Sequence, residues 1–516
     1  MIPNHPKTLR LILGDQLNSR HTWFQQVDES ICYVMMEIRS ETDYANHHIQ
    51  KVLGFFAAMR QFARELREQG HQLVYFRLQD PENAQRFDEN CRQLIEVQGF
   101  TRFEYMHADE YRVDTHLKNF TNTLRIEHAC VDSEHFLSTP EEFQTLFAGK
   151  KGYLMETFYR HMRKKHGFMV DADGQPWLGQ WNFDKENRQK LPKHHVSPAP
   201  FVFSNDLREI EQEIRESQVK TIGFVDAQNF IWPVSRMQSL ALLNFFFENC
   251  FCFFGTFQDA MAPGEWSMYH ARISFSLNLK LLSPREVIER AIESYEASSG
   301  KVTYSQLEGF VRQILGWREY MRAIYFLEMP TFSTLNYFNH KNSLPEWFWT
   351  GKTKLNCLKH TIQQSLEMGY AHHIQRLMVT GNFALLAGIH PDEVDAWYLG
   401  IYIDAIEWVE ITNTRGMSQF ADGGIVGTKP YVSSAAYMKK MGSYCGTCFY
   451  DANEKIGPKA CPFNSLYWHF YDRHEQILAN NPRIGMVYPM WKKMNPALKA
   501  GILQQARTYL SQLNEL

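Results

Sequence analysis

The sequence contains no apolar run long enough to cross a membrane. Its most apolar stretch, SLALLNFFFENCFCFFG at residues 239–255, is interrupted by Asn244, Glu248 and Asn249. It is shorter than the roughly 20 apolar residues of a membrane-spanning helix and predicts a buried helix instead. The N-terminal segment MIPNHPKTLRLILGD has neither the apolar run nor the cleavage site of a signal peptide. We therefore expect a cytoplasmic protein without membrane contact.

Charge of one sign and cysteine are both scarce. The 54 basic and 57 acidic residues give a formal net charge of −3. This balance excludes a protein that coats nucleic acid through an overall positive potential, although a local basic face remains compatible with it. Nine cysteines, an odd number, are spread over 516 residues, which fits a reduced compartment better than a disulfide framework. With 44% hydrophobic and 22% charged residues, disordered and low-complexity classes are excluded.

Short apolar runs alternate with helical patterns in the first 135 residues. The runs are TLRLIL (8–13), ICYVMMEI (31–38), HQLVYFRL (71–78), TRFEYMHA (101–108) and IEHACVDS (126–133). Such alternation predicts a Rossmann-like α/β domain with a parallel sheet. The helical pattern at 52–70 ends at Gly70, as a C-terminal cap would. The first run leads into Gly14-Asp15-Gln16-Leu17, where open α/β sheets bind ligands, but there is no GxGxxG fingerprint.

The rest of the chain is predicted to be mainly helical. Residues 168–205 are rich in Gly, Pro, Asn and charge, as a connector would be, yet they include Trp177 and Trp181. Helical periodicity then dominates, for example at 285–297, 307–328 and 355–380. We expect an α/β domain at 1–135, an interdomain connector at 136–230 and an all-helical domain at 231–516.

Four cysteines have the spacing of a metal site. Cys445 and Cys448 form a CxxC pair, Cys461 follows closely before Pro462, and Cys357 is a remote partner. Four thiolates can bind zinc or an iron–sulfur cluster, and free core thiols are the alternative. The Cys-Pro dipeptide favours iron–sulfur. The remaining cysteines are predicted to be small core residues: Cys32, Cys91, Cys130, Cys250 and Cys252.

Two further segments carry candidate site residues. In GYAHHIQRLMVTGNF (369–383), a helix would place His372 and His373 near Arg376. They are either solvated or capping histidines, or a pocket with an imidazole proton donor. Residues 395–431 combine aromatic and polar side chains beside a glycine-rich turn, which fits a polar-edged aromatic cofactor better than a plain core: Trp397, Tyr398, Trp408, Glu410, Asn413 and Arg415.

Together these motifs resemble a known family. FVRQILGWREYMR (310–322) resembles the WREF-type helix of photolyases and cryptochromes, and LKLLSPREVIERA (279–291) resembles the entry to their flavin domain. The four cysteines with AHHIQRLM, WNFDKENRQ and TNTRGMSQFADGGIVGTKPY are similar to one branch, the iron–sulfur bacterial cryptochromes and photolyases, also called prokaryotic (6-4) photolyases. The resemblance covers nearly the whole chain in the same domain order.

The resemblance implies three cofactors. FAD would bind in a bent shape in the helical domain, at His270, Ser274, Asn278, Trp317, Arg376, Asn382, Glu410, Asn413 and Met417. A [4Fe–4S] cluster would bind to Cys357, Cys445, Cys448 and Cys461. The antenna 6,7-dimethyl-8-ribityllumazine would bind in the α/β domain at Asp15, Leu17, Glu41, Tyr44, His48 and Lys51.

Two positions depart from the wider photolyase superfamily. The phosphate-binding Thr-Ser pattern reads His270-Ala271-Arg272-Ile273-Ser274, so that only Ser274 carries over. Glu410 replaces the Asn that usually faces flavin N5, which affects the protonation of the flavin and its resting redox state.

The implied reaction is light-driven repair of pyrimidine–pyrimidone (6-4) lesions by electron transfer from photoexcited FADH⁻. His373, with His372 beside it, would supply the proton, and Asp259, Gln313 and Tyr431 resemble lesion-pocket positions. Trp397, Tyr398 and Trp349 would carry electrons to the flavin from the surface. A damaged base is also easier to flip out of the duplex, because its stacking is already broken.

UV-damaged DNA is the expected partner of a monomeric protein. The run ETFYRHMRKKHG (156–167) and the connector would contact phosphates through Arg160, Arg163, Lys164, Lys165 and Arg188, although such a run is also compatible with a solvated basic face. Two other functions compete with the photolyase: a cryptochrome-type blue-light photoreceptor, and an iron–sulfur nucleic-acid module without catalysis. The His pair and the flavin-type motifs favour the photolyase.

Overall fold

A five-stranded parallel sheet forms the N-terminal part of the protein. The computed structural model describes residues 7–150, 152–192 and 194–516. The strands are β1 (Thr8–Leu11), β2 (Ile31–Met36), β3 (Gln72–Phe76), β4 (Arg102–Met106) and β5 (Glu127–Val131), so all five sequence predictions are confirmed. Their order is β3-β2-β1-β4-β5. Because the order reverses at β1, the carboxyl ends of β1, β2 and β4 frame a crevice.

Helices cover both faces of this sheet. They are Arg39–Thr42, Ile49–Glu68, Phe87–Gln98 and Tyr111–Thr121. The long helix Ile49–Glu68 buries Leu53, Ala58 and Phe62 against the sheet. It stops just before Gly70, whose φ of +97° lies in the left-handed region that glycine adopts without strain.

The remainder is almost entirely helical, as predicted. Its α-helices are Pro140–Phe147, Met155–His166, Arg208–Glu216, Arg236–Asn249, Phe254–Phe257, Ser274–Asn278, Pro284–Ala297, Tyr304–Val311, Glu319–Glu328, Asn356–Met368, Asn382–Ala387, Pro391–Ile401, Glu407–Ile411, Ala435–Met441, Pro462–Arg473, Glu475–Leu478, Val487–Lys493 and Pro496–Ser511. Three π-helical turns interrupt or precede them: Arg312–Arg318, Gln375–Gly381 and Thr412–Ser418.

Two predicted helices differ from the structure. The helix expected at 355–380 ends at Met368, because Gly369 adopts a φ of +60°, and the chain becomes helical again only at His373. The apolar stretch 239–255 turns after Asn249 and leaves Phe253 44% exposed, so it is not a single buried helix. Within the described residues no single helix could span a membrane; Arg236–Asn249 and Phe251–Phe257, bent by 54°, pass that test only as a pair.

The predicted connector packs firmly on both regions. Phe143 and Phe158, from its first two helices, lie in the core of the helical region, whereas Ile210 lies in the core beneath the sheet. Asn187 is fully buried, and its side chain fills the space that a Cβ atom at Gly255 or Gly309 would need. The connector is therefore an anchored segment.

Candidate functional site

The π-helical turns carry several predicted site residues. Among the predicted flavin residues, Trp317 lies in the first turn, Arg376 in the second, and Asn413 and Met417 in the third; the predicted lesion residue Gln313 also lies in the first. A π turn widens the helix and reorients the side chains that follow, which is why such turns are frequent at functional sites. The second turn contacts the third, and both lie within the helical core.

Three imidazoles meet at the start of the second π turn. The rings of His270 and His372 stack with centroids 4.6 Å apart and an interplanar angle of 12°. Burial lowers the pKa of His270 to about 4, and burial together with His270 lowers the pKa of His372 well below its usual value. The His373 side chain is exposed, yet desolvation by the surrounding residues and the Arg376 charge lower its pKa to about 4. All three rings are therefore neutral near pH 7.

Asp404 connects several predicted flavin residues, although the sequence pattern gave no reason to select it. Ser274 Oγ donates to Asp404 Oδ2 at 2.5 Å, and Asn278 Nδ2 donates to the Asp404 carbonyl at 2.7 Å. Arg376 pairs with both carboxylate oxygens at 3.0 and 3.1 Å and stacks over Tyr402. Arg376 is therefore held by a carboxylate, and its free surface is limited.

Several buried polar atoms in this region have no hydrogen-bond partner among the residues that the structure describes. They include His270 Nε2, both ring nitrogens of His372, Glu410 Oε1, Trp408 Nε1, and Nε and Nη1 of Arg318. Unpaired buried donors and acceptors are costly, so a polar-edged ligand would satisfy them. The donor set therefore fits a flavin dinucleotide.

Glu410 belongs to a buried acidic group. Burial and the neighbouring Asp395 raise the pKa of Glu410 well above its usual value, and burial raises the pKa of Asp395 to about 7 despite Arg415. Arg415 Nε donates to Asp395 Oδ2 at 2.7 Å. Burial and Asp395 thus both favour the protonated form of the Glu410 carboxyl group.

Other predicted flavin positions are occupied by local contacts. Asn382 exchanges hydrogen bonds with the backbone of Ser433, and Asn413 donates to the Val409 carbonyl. Trp317 is half-buried, and Met417 is buried in the core.

The predicted lesion residues form a second group beside the connector. Arg188 Nε lies 3.8 Å from Asp259 Oδ2. The Arg188 charge also acts on Tyr431, although burial is the larger effect and raises the pKa of that phenol. Gln313 is exposed and donates to the Gly309 carbonyl, next to buried Asn187. Burial raises the pKa of Asp259 to about 6.

Two basic residues of this group were not predicted. Lys429 Nζ lies 6.0 Å from the centre of the Tyr431 ring, and Arg483 is close enough to influence both Lys429 and Tyr431. Neither occurs in a basic run, and folding alone brings them beside Arg188.

The proposed electron path is partly continuous. The rings of Trp397 and Tyr398 are 5.2 Å apart, and Trp397 also contacts Phe348 at 5.2 Å. Trp349, the next residue, is 39% exposed. Tyr398 and Thr380 share a hydrogen bond of 2.6 Å.

All four predicted cysteine ligands line one cavity of about 290 Å³. Cys357 lies in the first turn of its helix, Cys461 is the N-cap of Pro462–Arg473, and Cys445 and Cys448 flank a tight turn. Burial and the three other cysteines raise the pKa of Cys357. The four cysteines are therefore neighbours around one cavity, although among the described residues no group of three or more potential ligands is arranged to hold a metal ion.

A larger cavity, about 800 Å³, lies at the carboxyl ends of β1, β2 and β4. Four of the predicted antenna residues line it: Asp15, Glu41, Tyr44 and Lys51. Leu17 and His48 do not; His48 is fully buried and contacts the Leu366 carbonyl at 2.9 Å. The neighbouring His47 lines the cavity in its place, because the chain turns into a helix at this point.

The basic helix Met155–His166 corrects one prediction. Arg163 has no exposed surface and donates to the carbonyls of Phe168 and Met169 and to the Tyr304 hydroxyl. It is therefore a core residue that cannot reach a phosphate. Lys165 is exposed but paired with Glu142 at 2.6 Å. Arg160 and Lys164 are exposed beside the Trp181 ring.

The fold is that of the photolyases and cryptochromes. A bacterial class III photolyase from Agrobacterium tumefaciens superposes with a TM-score of 0.57 at 14% identity, covering 85% of this chain and 84% of that one. A cryptochrome from Synechocystis sp. PCC6803 superposes with a TM-score of 0.55 at 14% identity, covering 84% and 86%. These likenesses define the class by architecture alone.

Sequence comparison narrows the class to a family. Residues 10–230 match the family model described as deoxyribodipyrimidine photo-lyase-related protein. A (6-4) photolyase of Agrobacterium fabrum is 40% identical over 509 residues, which is 98% of this chain and 99% of the relative. The chain belongs to the (6-4) photolyase family within the photolyases and cryptochromes.

Proposed function

We propose that this protein repairs (6-4) photoproducts in UV-damaged DNA in a light-dependent reaction. One observation carries the proposal: the relative named (6-4) photolyase is similar along essentially its full length. The neutral His372–His373 pair and the group around Tyr431 supply candidate lesion contacts in this chain.

FAD, when bound, would supply the light-excited electron donor. The residues that would hold it surround Asp404 and the stacked imidazoles: His270, Ser274, Asn278, Arg376 and Glu410. The unpaired buried atoms of His270 and Glu410 support this assignment. A neutral Glu410 can donate a hydrogen bond, as the Asn that it replaces could, so the replacement keeps a donor at that position.

His373 is the candidate proton donor at the lesion. It is neutral in the free protein because desolvation and Arg376 disfavour the imidazolium. DNA phosphates near the ring would raise its pKa, since an opposite charge favours the protonated form. DNA binding would therefore load the proton that His373 then delivers, while the buried His372 keeps the recess polar.

The two remaining cofactors occupy separate cavities in this proposal. A [4Fe–4S] cluster would be held by Cys357, Cys445, Cys448 and Cys461, two of which lie at helix N-termini that stabilise thiolates. A ribityllumazine antenna would occupy the cavity at the carboxyl ends of β1, β2 and β4, where open α/β sheets bind ligands.

DNA would be contacted by a local basic surface. Arg188, Lys429 and Arg483 surround Tyr431, and Arg160 and Lys164 are exposed on the connector helix Met155–His166. If these side chains neutralise phosphates, affinity falls steeply with salt while the preference for damage persists.

Blue-light repair of an oligonucleotide with a single (6-4) lesion tests the proposal. We expect restoration by the wild type with reduced flavin. His373→Ala should lose repair by about 10²–10⁴-fold, the usual value of proton-transfer catalysis, while it retains flavin and DNA binding. His128→Ala is the matched control, because His128 is exposed on the edge strand β5.

Absence of repair by the wild type with reduced flavin and an intact cluster would contradict the enzyme and favour a cryptochrome-type photoreceptor. Normal repair by His373→Ala would keep the enzyme but remove His373 from the reaction.

A further inference from the structure

The cavity at the carboxyl ends of β1, β2 and β4 is lined by more carboxyl groups than cations. Four acidic residues line it, Asp15, Glu41, Asp109 and Glu110. Among the lining residues that the structure describes, the basic ones are Lys51 and His47. Within the part of the chain that the structure describes, His47 Nε2 and Asp109 Oδ1 are buried atoms of the lining without a hydrogen-bond partner; both residues are 2% exposed. These orphans indicate that a polar ligand group belongs there.

Arg112, which is not itself a lining residue, pairs with two carboxylates of this cavity, Glu41 and Glu110. Its guanidinium makes a bidentate pair with Glu41, with both bonds at 2.8 Å, and a third bond to Glu110 at 3.1 Å. It also lies 4.1 Å from the centre of the Tyr44 ring. Arg112 thereby joins the segment after β2 to the segment after β4, and three of its five N–H donors are engaged by carboxylates.

The other cations near the cavity are likewise engaged. Lys280 is 1% exposed and binds Asp109 at 2.6 Å and the Asp15 backbone carbonyl at 2.7 Å. Lys51 Nζ donates to the Leu399 carbonyl at 3.0 Å and lies 3.2 Å from His47 Nδ1. A phosphate entering the cavity would therefore meet four carboxyl groups against one lysine of the described lining, Lys51, whose hydrogen bonds go to a carbonyl and an imidazole.

We propose that the Glu41–Arg112–Glu110 group is a charge filter that restricts this cavity to heterocycles with an uncharged polyhydroxyl arm and excludes their phosphorylated forms. Carboxylates accept hydrogen bonds from hydroxyl groups but repel a phosphate dianion. The inference rests on the proposed antenna function of the cavity and adds the residue that determines its specificity.

Riboflavin and FMN are suitable probes because they share a ring and differ by one phosphate. Both are titrated, by fluorescence quenching, into FAD-loaded, cluster-containing protein freed of antenna chromophore. We expect wild type to bind FMN at least about tenfold more weakly than riboflavin, the order expected for a partly exposed like-charge contact. High salt should reduce the difference between the two affinities, because it screens the charges.

Two variants should shift the ratio in opposite directions. Glu41→Gln releases part of the Arg112 guanidinium for the phosphate, so the affinity for FMN should approach the affinity for riboflavin. Arg112→Ala leaves both carboxylates uncompensated, so FMN should bind still more weakly. Glu104→Gln is the matched control: Glu104 also pairs with two arginines, Arg10 and Arg102, but close to the amino ends of the strands.

The possible failures are distinguishable. The filter is overturned if the wild type binds the two probes equally well. It is also overturned if the ratio of FMN to riboflavin affinity in Glu41→Gln equals that in Glu104→Gln; in both cases the antenna site remains. Binding of neither probe overturns the antenna site and the filter together.

Discussion

Arginine side chains show how folding assigns different roles to one residue type. Arg163 and Arg160 lie one helical turn apart in a basic run, yet Arg163 is completely buried and Arg160 is exposed. Arg112 and Arg376 both pair with carboxylates, the first at a cavity rim and the second with Asp404. In each case the role follows from partners that are distant in sequence.

Arg163→Ala should therefore destabilise the protein without acting specifically on DNA binding. The substitution removes donors from two buried carbonyls and the Tyr304 hydroxyl, and we expect a loss of about 3 kcal/mol in the free energy of unfolding. Arg160→Ala should change that free energy by less than about 0.5 kcal/mol and weaken DNA binding instead.

Chemical denaturation with a DNA-binding titration separates the two variants. The buried role of Arg163 is contradicted if Arg163→Ala unfolds as the wild type does and only binds DNA less tightly.

At the scale of elements, helix ends position the reactive groups. Cys461 caps the helix Pro462–Arg473, whose first-turn Pro462 leaves no unsatisfied N–H at that position. Gly369 ends one helix, so that the next begins at the His372–His373 pair. The π turn at Gln375–Gly381 then directs Arg376 to Asp404.

Cys357→Ser should lose the iron and destabilise the C-terminal helices. Cys357 joins its helix to the turn and the helix that carry the other three cysteines, and metal binding is coupled to folding of the segments that it links. Iron content, the visible absorption spectrum and protease sensitivity are the measurements. Cys91→Ser, in the α/β core, is the control for loss of a buried thiol.

An iron-replete, protease-resistant Cys357→Ser protein would contradict the ligand assignment.

At the scale of the whole molecule, the α/β and helical regions share an apolar core. Ile12 and Leu53 of the first region pack in the same cluster as Phe275 and Ile403 of the second. His48 reinforces this contact, because its backbone N–H donates to the Gly400 carbonyl and its ring contacts the Leu366 carbonyl. The relative position of the cavity at the strand ends and of the three π turns is thus held by packing.

Acid stability depends on buried histidines in the helical region. Burial and Arg473 lower the pKa of both His340 and His474 to about 3. Between pH 6.5 and about 3 the unfolded chain binds protons that the folded chain does not. The stabilisation is therefore complete above pH 6.5 and is lost as the pH falls, by up to about 1.4 kcal/mol per pH unit for each histidine.

His474→Gln should flatten this dependence, because glutamine can still accept from Arg473 but does not titrate. Comparing the pH dependence of unfolding free energy in His474→Gln and in the wild type separates His474 from carboxyl groups. Burial raises the pKa of Asp422, for example, to about 7, so that carboxyl group stabilises the fold at low pH and acts in the opposite direction. Unfolding free energies at pH 7, 6 and 5 test the prediction, with exposed His128→Gln as the control. Parallel curves for His474→Gln and wild type would contradict it.

The sequence by itself determined the features that depend on local pattern. Apolar runs that alternate with helical patterns defined five strands, each confirmed by the structure, because strands of a parallel sheet covered by helices are rich in apolar residues; only the edge strand β5 is largely exposed. The cysteine spacing identified four candidate residues, and the structure places all four around one cavity. Both signals survive without knowledge of tertiary contacts.

Only the tertiary structure decided which polar side chains meet. No motif singled out Asp404, Arg112, Lys429 or Arg483, yet each lies beside a predicted site residue. The same packing buried Arg163 and replaced His48 by His47 at the cavity wall. Burial and pairing join different elements of the fold, as Arg112 with Glu41 and Arg163 with Tyr304 show, and no local pattern records that juxtaposition.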